Sequence, residues 1–127
     1  MRPLGIVLRF KDKYLQKVLA GEKNATIRLG VLRPRFQLVY IGCCGMLYGE
    51  ALITKVEYAR LRELGPDVLN EEGFESLDEA LAELRRLYPT ISLDDAVSVI
   101  RFTLIRRYER PISMDVLRSH ERAKRGL

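Results

Sequence analysis

The residues best suited to chemistry lie in one short stretch, residues 21–28, with the sequence Gly-Glu-Lys-Asn-Ala-Thr-Ile-Arg. An amphipathic helical pattern precedes it, and the spacing predicts a strand over residues 24–28. Side chains alternate between the faces of a strand, so Thr26 and Arg28 share one face. Lys23 lies at the corner between helix and strand, where its long stem can reach that polar face.

An ammonium group, a hydroxyl and a guanidinium this close together suit two kinds of chemistry. The first is binding of an anion or nucleotide, because Arg28 can hold phosphate through two parallel hydrogen bonds. The second is nucleophilic catalysis, in which the weak Thr26 hydroxyl needs a neighbouring base. Lys23 can be that base only in its neutral form. The residues alone leave both uses open.

The distribution of charge favours a polyanionic partner. The 127 residues suit one domain with a net charge of +5. Residues 1–48 hold nine basic and two acidic residues, 49–96 hold five and twelve, and 97–127 hold eight and three. If strands from the two basic segments pair, the segments meet on one face, which suits nucleic acid. Such segregation also arises simply from where acidic helices fall.

The sequence also argues against several classes of protein. Cys43 and Cys44 are adjacent and rarely pair without strain, which favours a reducing compartment. With no CxxC motif and His120 as the single histidine, we expect no metal and no cofactor. No signal peptide is evident, and no apolar run approaches the ~20 residues of a membrane helix. We therefore expect a cytoplasmic protein without a membrane partner, and the 16 arginines against six lysines are typical of heat adaptation.

Hydrophobic periodicity predicts an α+β domain. Five strands are expected at residues 5–10, 24–28, 36–41, 46–58 and 97–108, with a bend at Gly49. Asp12 is the predicted N-cap of a first helix, and Ser76 with Glu79 forms a capping box that opens a second. Residues 30–34 are predicted to be a turn and the acidic residues 60–75 a loop-rich section, while residues 111–127 have a weak helical pattern. This order lacks parallel βαβ alternation and favours a small, partly closed barrel with helices at its ends.

The motif Gly21-x-Lys23-x-x-Thr26-x-Arg28, placed after a strand and an amphipathic helix, resembles the signature of ASCH domains, which belong to the PUA-like superfamily. The resemblance covers roughly residues 4 to 108. It continues through Gly49-x-Ala51-x-Ile53-x-x-Val56, Gly73-Phe74-x-Ser76, Leu87-Tyr88-Pro89 and Val99-Ile100-Arg101-Phe102. We therefore divide the chain into an ASCH domain, residues 1–108, and a basic C-terminal extension, residues 109–127.

The resemblance implies a PUA-like mixed barrel of about five or six strands, with a basic cleft beside the motif. It further implies binding of RNA, a nucleotide or a nucleoside, in RNA metabolism, translation or its regulation. The residues expected to contact such a ligand are Lys23, Thr26, Arg28, Arg9, Arg33 and Arg35. The aromatic residues expected to stack on a base are Tyr40, Tyr48, Tyr58 or Phe74.

The resemblance also implies an alternative, because some small family members are amidohydrolases that deacetylate N4-acetylcytidine with a Lys, a Thr and a Glu. Lys23 and Thr26 match the first two of these residues. Glu72 is the best match for the third and Glu71 the alternative. Either Lys23 activates Thr26, or the glutamate activates a water while Lys23 or Thr26 stabilises the oxyanion. A protein-interaction module that docks through the basic tail is a further alternative.

Overall fold

The computed structural model describes residues 2–117. Its elements in chain order are β1 (Arg2–Leu4), β2 (Val7–Arg9), α1 (Asp12–Leu19), β3 (Ala25–Leu29), β4 (Leu32–Pro34), β5 (Leu38–Cys43), β6 (Met46–Arg60), a 3₁₀ turn (Leu61–Glu63), α2 (Pro66–Glu71), α3 (Leu77–Leu87) and β7 (Ala96–Ser113). His120 and most of the predicted basic extension lie outside the described residues. No helix of residues 2–117 combines the length and apolar character needed to cross a membrane.

A five-stranded mixed sheet organises the fold, in the strand order β2-β5-β6-β7-β3. The β2–β5 pair is parallel and the other three pairs are antiparallel, while β1 and β4 form a separate parallel pair. The predicted α+β class is therefore confirmed. The predicted bend at Gly49 is also present as a shift of register in the long β6 strand. A Cβ atom at Gly49 would lie 2.3 Å from the carbonyl oxygen of Arg106, so only glycine fits this close approach.

The two edge strands of the sheet approach each other beside the motif. Residues 25–29 of β3 pair with residues 97–101 of β7, which joins the two basic segments of the sequence. From β3, Arg28 Nη2 donates a 2.5 Å hydrogen bond to the carbonyl oxygen of Arg9 at the end of β2. A side chain thus links the two edge strands of the sheet, β2 and β3.

Two hydrophobic clusters fill the interior, one on each side of this link. The first packs α1 against the sheet and includes Leu8, Val18 and Ile41, all fully buried. The second lies beneath α3 and includes Leu84 and Val97. Strand β7 contributes to both clusters, because its side chains alternate between them. The seam between the clusters is where the motif lies.

The capping prediction at the second helix is confirmed in its first half. Ser76 Oγ accepts a 3.1 Å bond from the backbone N–H of Glu79, as a capping box requires. The Glu79 carboxylate, however, accepts from the N–H of Glu75 and not from that of Ser76. The predicted N-cap at the first helix is wrong. Asp12 is already the first helical residue, and Lys11 occupies the cap position without a capping side-chain bond.

The remaining differences concern short elements that periodicity could not resolve. The strand expected at 5–10 is shorter and corresponds to β2, while β1 lies before it and was not predicted. The turn-like residues 30–34 contain β4, and the strand expected at 36–41 begins at Leu38. The loop-rich section holds the 3₁₀ turn and α2, which opens with Pro66 in the first turn, where proline is tolerated. The last strand continues past residue 108 because its end pairs with the start of β6.

Candidate active site

Lys23 is positioned by the way α1 ends. Gly21 adopts a φ of +76°, which glycine alone takes without strain, and reverses the chain. The N–H of Gly21 bonds to the carbonyl of Val18, and the N–H of Glu22 bonds to that of Lys17. This is a Schellman motif. It directs the chain from the helix into β3, so that the Lys23 side chain turns inward and is buried.

Glu72 is positioned by a second Schellman motif, at the end of α2. Gly73 has a φ of +88°, and its N–H bonds to the carbonyl of Asn70. The N–H of Phe74 bonds to the carbonyl of Leu69 at 2.8 Å. The ring of Phe74 packs against the second hydrophobic cluster, which anchors the turn. Glu72, the last residue before Gly73, therefore projects its carboxylate into the seam.

The two side chains meet in a buried ion pair. Lys23 Nζ donates to Glu72 Oε2 at 2.7 Å, and the side chains are 9% and 5% exposed. The other carboxylate oxygen, Glu72 Oε1, is buried and has no hydrogen-bond partner among residues 2–117. A buried polar atom without a partner is costly, and such atoms in native proteins usually have a ligand, water or catalytic role.

The environment of Glu72 favours its protonated form more than water does. Burial raises the pKa of its carboxyl above the ordinary 4.5. Lys23 and Arg28 act in the opposite direction, because both cations stabilise the carboxylate. A carboxyl with a raised pKa is a stronger base when ionised, which is how enzymes adjust glutamates for proton transfer.

Thr26 and Arg28 lie side by side on the polar face of β3, as the alternation of the motif predicted. Arg28 Nε donates to Thr26 Oγ1 at 3.0 Å, and Thr26 is 6% exposed. The guanidinium lies 5.3 Å from the ring centroid of Phe10 and also bonds to the carbonyl of Arg9. Because Oγ1 accepts from Arg28, the hydroxyl proton of Thr26 is free to point elsewhere.

These groups surround a cavity of about 300 Å³. Its walls are strands β2 and β3 on one side and the helical segments on the other. The lining residues are Arg9, Phe10, Lys11, Tyr14, Lys23, Thr26, Ile27, Arg28, Glu72, Phe74, Glu83, Leu84, Leu87 and Tyr88. A cavity that combines apolar and aromatic side chains with convergent polar groups is typical of a small-molecule site.

A polar contact joins α1 to α3 at this cavity. Tyr14 Oη donates to Glu83 Oε1 at 2.6 Å, and Lys13 forms an ion pair with the same oxygen. The Tyr14 ring lies 5.4 Å from Lys23 Nζ, within range of a cation–π interaction. Hydrogen bonding and charge from Lys13 and Tyr14 hold the pKa of the Glu83 carboxyl below its ordinary value. Tyr14 thus contacts Lys23 and helps to hold α3 against α1.

The structure brings together most of the residues that the sequence singled out. Four of the ligand-binding candidates line the cavity with Glu72 and the stacking candidate Phe74, namely Arg9, Lys23, Thr26 and Arg28. Arg33 and Arg35 line a separate surface groove with Arg2 and do not line the cavity. The other aromatic candidates, Tyr40, Tyr48 and Tyr58, do not line it either. Glu71, the alternative to Glu72, is exposed and pairs with Arg101.

The sequence did not assign eight of the lining residues to a site, namely Phe10, Lys11, Tyr14, Ile27, Glu83, Leu84, Leu87 and Tyr88. Phe10 continues the strand alternation of Ile6 and Leu8, and Tyr14 lies at helical spacing with Val18, so both positions are typical of a core. Glu83 and Tyr88 lie in and just after the capped helix, far along the chain from the motif. Tyr88 carried a signal, because it belongs to the Leu87-Tyr88-Pro89 segment of the family resemblance. No signal in the sequence singled out Lys11, which lies at the cap of α1.

One further group of side chains could hold a metal ion. The carboxylate of Asp12 and the thiol sulfurs of Cys43 and Cys44 lie within 4.8 Å of one another. Cys43 is buried, and burial raises the pKa of its thiol to about 11, so it resists forming the thiolate that binds metals. The candidate active site has a different donor set, with a single buried carboxylate already paired to a lysine.

The arrangement can hold and polarise a small polar ligand. Glu72 Oε1 can accept a proton from water or an amine, and the Thr26 hydroxyl can donate. Lys23 supplies a buried positive charge beside both the carboxylate and the cavity. A base, a hydroxyl donor and a cation in a largely apolar enclosure are the components of general acid–base catalysis with oxyanion stabilisation.

Comparison with known proteins identifies the fold. No family model and no curated protein matches the sequence. A protein of Enterococcus faecalis described under the family DUF984 has a similar structure, with 20% identity and a TM-score of 0.62 over 87% of this chain and 84% of that one. ASCH of Zymomonas mobilis has 16% identity and a TM-score of 0.62 over 89% and 76%. The ASCH domain of Lactobacillus crispatus has 20% identity and a TM-score of 0.55 over 72% and 70%.

The fold is therefore of the α+β class, and solved structures share it. More particularly, the chain has an ASCH-like fold, as the resemblance of its motif predicted. These similarities concern the fold alone, and the function is argued from the site.

Proposed function

We propose that the protein is an amidohydrolase that removes the acyl group from an N-acylated, cytidine-type nucleoside. The observation that carries this proposal is the 2.7 Å contact of Lys23 with Glu72, whose second oxygen has no partner within the described residues. A purely structural ion pair gains nothing from a buried, unpaired oxygen, whereas a general base requires a free one.

The cavity suits a ligand of nucleoside size. Its volume of about 300 Å³ is at the lower end of the range for small-molecule sites. Phe74 and Tyr88 offer faces on which a planar base can stack. Glu72 Oε1 is a natural acceptor for the exocyclic N–H of an acylated aminopyrimidine. The resemblance to ASCH domains implies this substrate class, and an aromatic enclosure with one buried acceptor supports it.

In the proposed reaction Glu72 Oε1 takes a proton from a water molecule as the water oxygen attacks the acyl carbon. The C–O bond forms, and the carbonyl oxygen becomes an oxyanion that the Lys23 ammonium and the Thr26 hydroxyl stabilise. The C–N bond then breaks, and the proton held by Glu72 passes to the exocyclic nitrogen. The products are the free amine of the base and a carboxylic acid.

The alternative in which Thr26 attacks directly has less support. Arg28 Nε already donates to Thr26 Oγ1 at 3.0 Å, which lowers the nucleophilicity of that oxygen. The same bond leaves the hydroxyl proton available for donation, which is the role that an oxyanion donor needs. Water activation by Glu72 also uses the unpaired oxygen, which a threonine nucleophile leaves unexplained.

The test is incubation of the purified protein with N4-acetylcytidine, with cytidine and acetate quantified by chromatography. We expect release by the intact protein, loss of release in Thr26→Ala, and normal release in Thr103→Ala, whose side chain is exposed on β7. An intact, folded protein that releases no cytidine would overturn the proposal for this substrate.

A second candidate function is binding of RNA or a nucleotide without chemistry. It is favoured by the pairing of β3 with β7, which joins the two basic segments, and by the exposed Arg2, Arg33 and Arg35 around one groove. Its test is a gel shift with a structured RNA at increasing salt, because contacts to phosphate weaken steeply with ionic strength. Binding that survives Arg33→Ala and Arg35→Ala together would contradict a role for this groove.

A further inference from the structure

The cations that line the cavity are of two kinds, those held by neighbouring protein groups and those without a carboxylate partner. This difference indicates the charge of the ligand. Six charged residues line the cavity, namely Arg9, Lys11, Lys23, Arg28, Glu72 and Glu83. The Lys23 ammonium is held by Glu72. The Glu83 carboxylate forms ion pairs with Lys13 and Arg86 and accepts a hydrogen bond from Tyr14, so its negative charge is already balanced. Both acids are therefore already compensated, and the remaining cations are in excess.

The buried cations are poorly placed to bind a phosphate. Arg28 donates to Thr26 Oγ1 and to the carbonyl of Arg9, and its guanidinium is packed over Phe10. Glu72 also acts electrostatically on Arg28, as the pKa of the carboxyl reflects. A phosphate that displaced these contacts would lose as many hydrogen bonds as it gained.

Arg9 and Lys11 are different, because they are exposed at the rim of the same cavity. Neither forms an ion pair with any carboxylate among residues 2–117. They flank Phe10, so one lies at the end of β2 and the other at the cap of α1. The nearest acid in sequence, Asp12, does not line the cavity, and its carboxylate lies beside Cys43 and Cys44.

We propose that Arg9 and Lys11 form a phosphate subsite at the cavity mouth, so that the ligand is a nucleoside monophosphate with its base inside. An exposed guanidinium and an exposed ammonium that line the same cavity, two residues apart in an extended segment, match the charge and the donor requirement of a phosphate monoester. The inner part of the cavity then holds the base and the outer part its phosphate. This inference rests on the proposed function for the identity of the base, and it adds a phosphate group to the proposed ligand.

The test is calorimetric titration with cytidine, cytidine 5′-monophosphate and inorganic phosphate, which measures binding without requiring hydrolysis. We expect the monophosphate to bind about tenfold more tightly than cytidine, the gain typical of a charge-assisted hydrogen bond. Lys11→Glu should abolish this gain. The matched control is Lys17→Glu, which makes the same charge reversal on an exposed residue of α1, the helix that Lys11 precedes, and Lys17 does not line the cavity.

Equal affinities for cytidine and its monophosphate would overturn the subsite, as would an equal loss in Lys17→Glu. Inorganic phosphate that binds as tightly as the nucleotide would also overturn it, because the base would then contribute nothing. The outcomes separate the two proposals. Tighter binding of the monophosphate without any hydrolysis of its acetylated form would contradict the amidohydrolase and leave the subsite standing.

Discussion

Lys23 and Glu72 are 49 positions apart in the sequence, yet their side chains meet at 2.7 Å with less than a tenth of either exposed. Each is placed by a helix that ends in a glycine of positive φ, Gly21 for the lysine and Gly73 for the glutamate. The pair therefore depends on two local chain reversals and on the packing that brings them together.

Removing one member of this pair should destabilise the protein strongly. Lys23→Met keeps an apolar stem of similar length but leaves the Glu72 carboxylate buried without its cation. The expected loss is about 3–5 kcal/mol in the free energy of unfolding, the usual cost of breaking a buried ion pair. Urea denaturation of the two proteins measures it.

The matched control for this prediction is Lys55→Met. Lys55 pairs with Glu57 at 3.7 Å, but its side chain is 63% exposed. Exposed pairs contribute about 1 kcal/mol or less. If both substitutions cost the same small amount, the Lys23–Glu72 pair is not buried as described.

The raised pKa of Glu72 gives the reaction a defined dependence on pH. The general base must be ionised, so kcat/KM should fall as pH falls through the pKa of Glu72, which burial places above the ordinary 4.5. The acidic limb of the pH–rate profile should therefore lie above 4.5. A limb at or below that value would contradict Glu72 as the base.

The raised pKa of Glu72 also makes stability depend on pH. The direction is opposite to that of a salt-bridged surface carboxylate, whose pKa is lowered by folding. Because the folded protein binds this proton more tightly than the unfolded chain, the contribution of Glu72 is present below its unfolded pKa. It is lost as pH rises through the folded pKa. The free energy of unfolding of the intact protein, measured relative to Glu72→Gln, should therefore decrease with rising pH across this window.

The hydroxyl of Thr26 should matter to catalysis more than to folding. Thr26→Val keeps the branched shape that suits a buried strand position, but it removes the proposed oxyanion donor. Loss of one such donor typically lowers kcat by about 10²–10³-fold. Thr26→Ser restores the hydroxyl, so it should retain most of the activity. A valine variant with activity close to that of the intact protein would show that the hydroxyl has no part in the reaction.

Gly73 should be required for the position of Glu72. Alanine there must adopt a φ of +88°, at a cost of about 1–2 kcal/mol, although no neighbouring atom obstructs the added methyl group. We expect Gly73→Ala to lower both the free energy of unfolding and the rate of hydrolysis. Gly65→Ala is the control, because Gly65 caps the other end of α2 with an ordinary φ of −79° and has open space around it.

Much of the fold and half of the site could be predicted from local sequence. The helix after Ser76 is bounded by a capping residue and a proline, and the motif at residues 21–28 fixes which side chains share a face. The resemblance favoured Glu72 over Glu71, but local sequence could not predict that the Glu72 carboxylate reaches Lys23. This contact depends on a six-residue helix, α2, whose first residues, Pro66 and Asp67, resemble the start of a loop as much as that of a helix.

The other lining residues could not be predicted either, because their place in the cavity also depends on tertiary packing. Phe10 and Tyr14 continue apolar patterns that predict core positions. They do pack in the first hydrophobic cluster, but they also line the cavity where the two clusters meet. Strands β1 and β4 have three residues each, too few for an alternation to be recognised. Arg33 lies within β4, and the pairing of β4 with β1 places it outside the cavity.

The most direct test of the central claim is the rate at which the protein releases cytidine from N4-acetylcytidine, and the corresponding monophosphate from its acetylated form, compared with Glu72→Gln. The glutamine keeps the size of the side chain and removes the base. We predict release by the intact protein and a loss of at least about 10²-fold in the variant, as expected when a general base is removed. Release that is absent from the intact protein, or unchanged in a folded Glu72→Gln protein, would contradict the account.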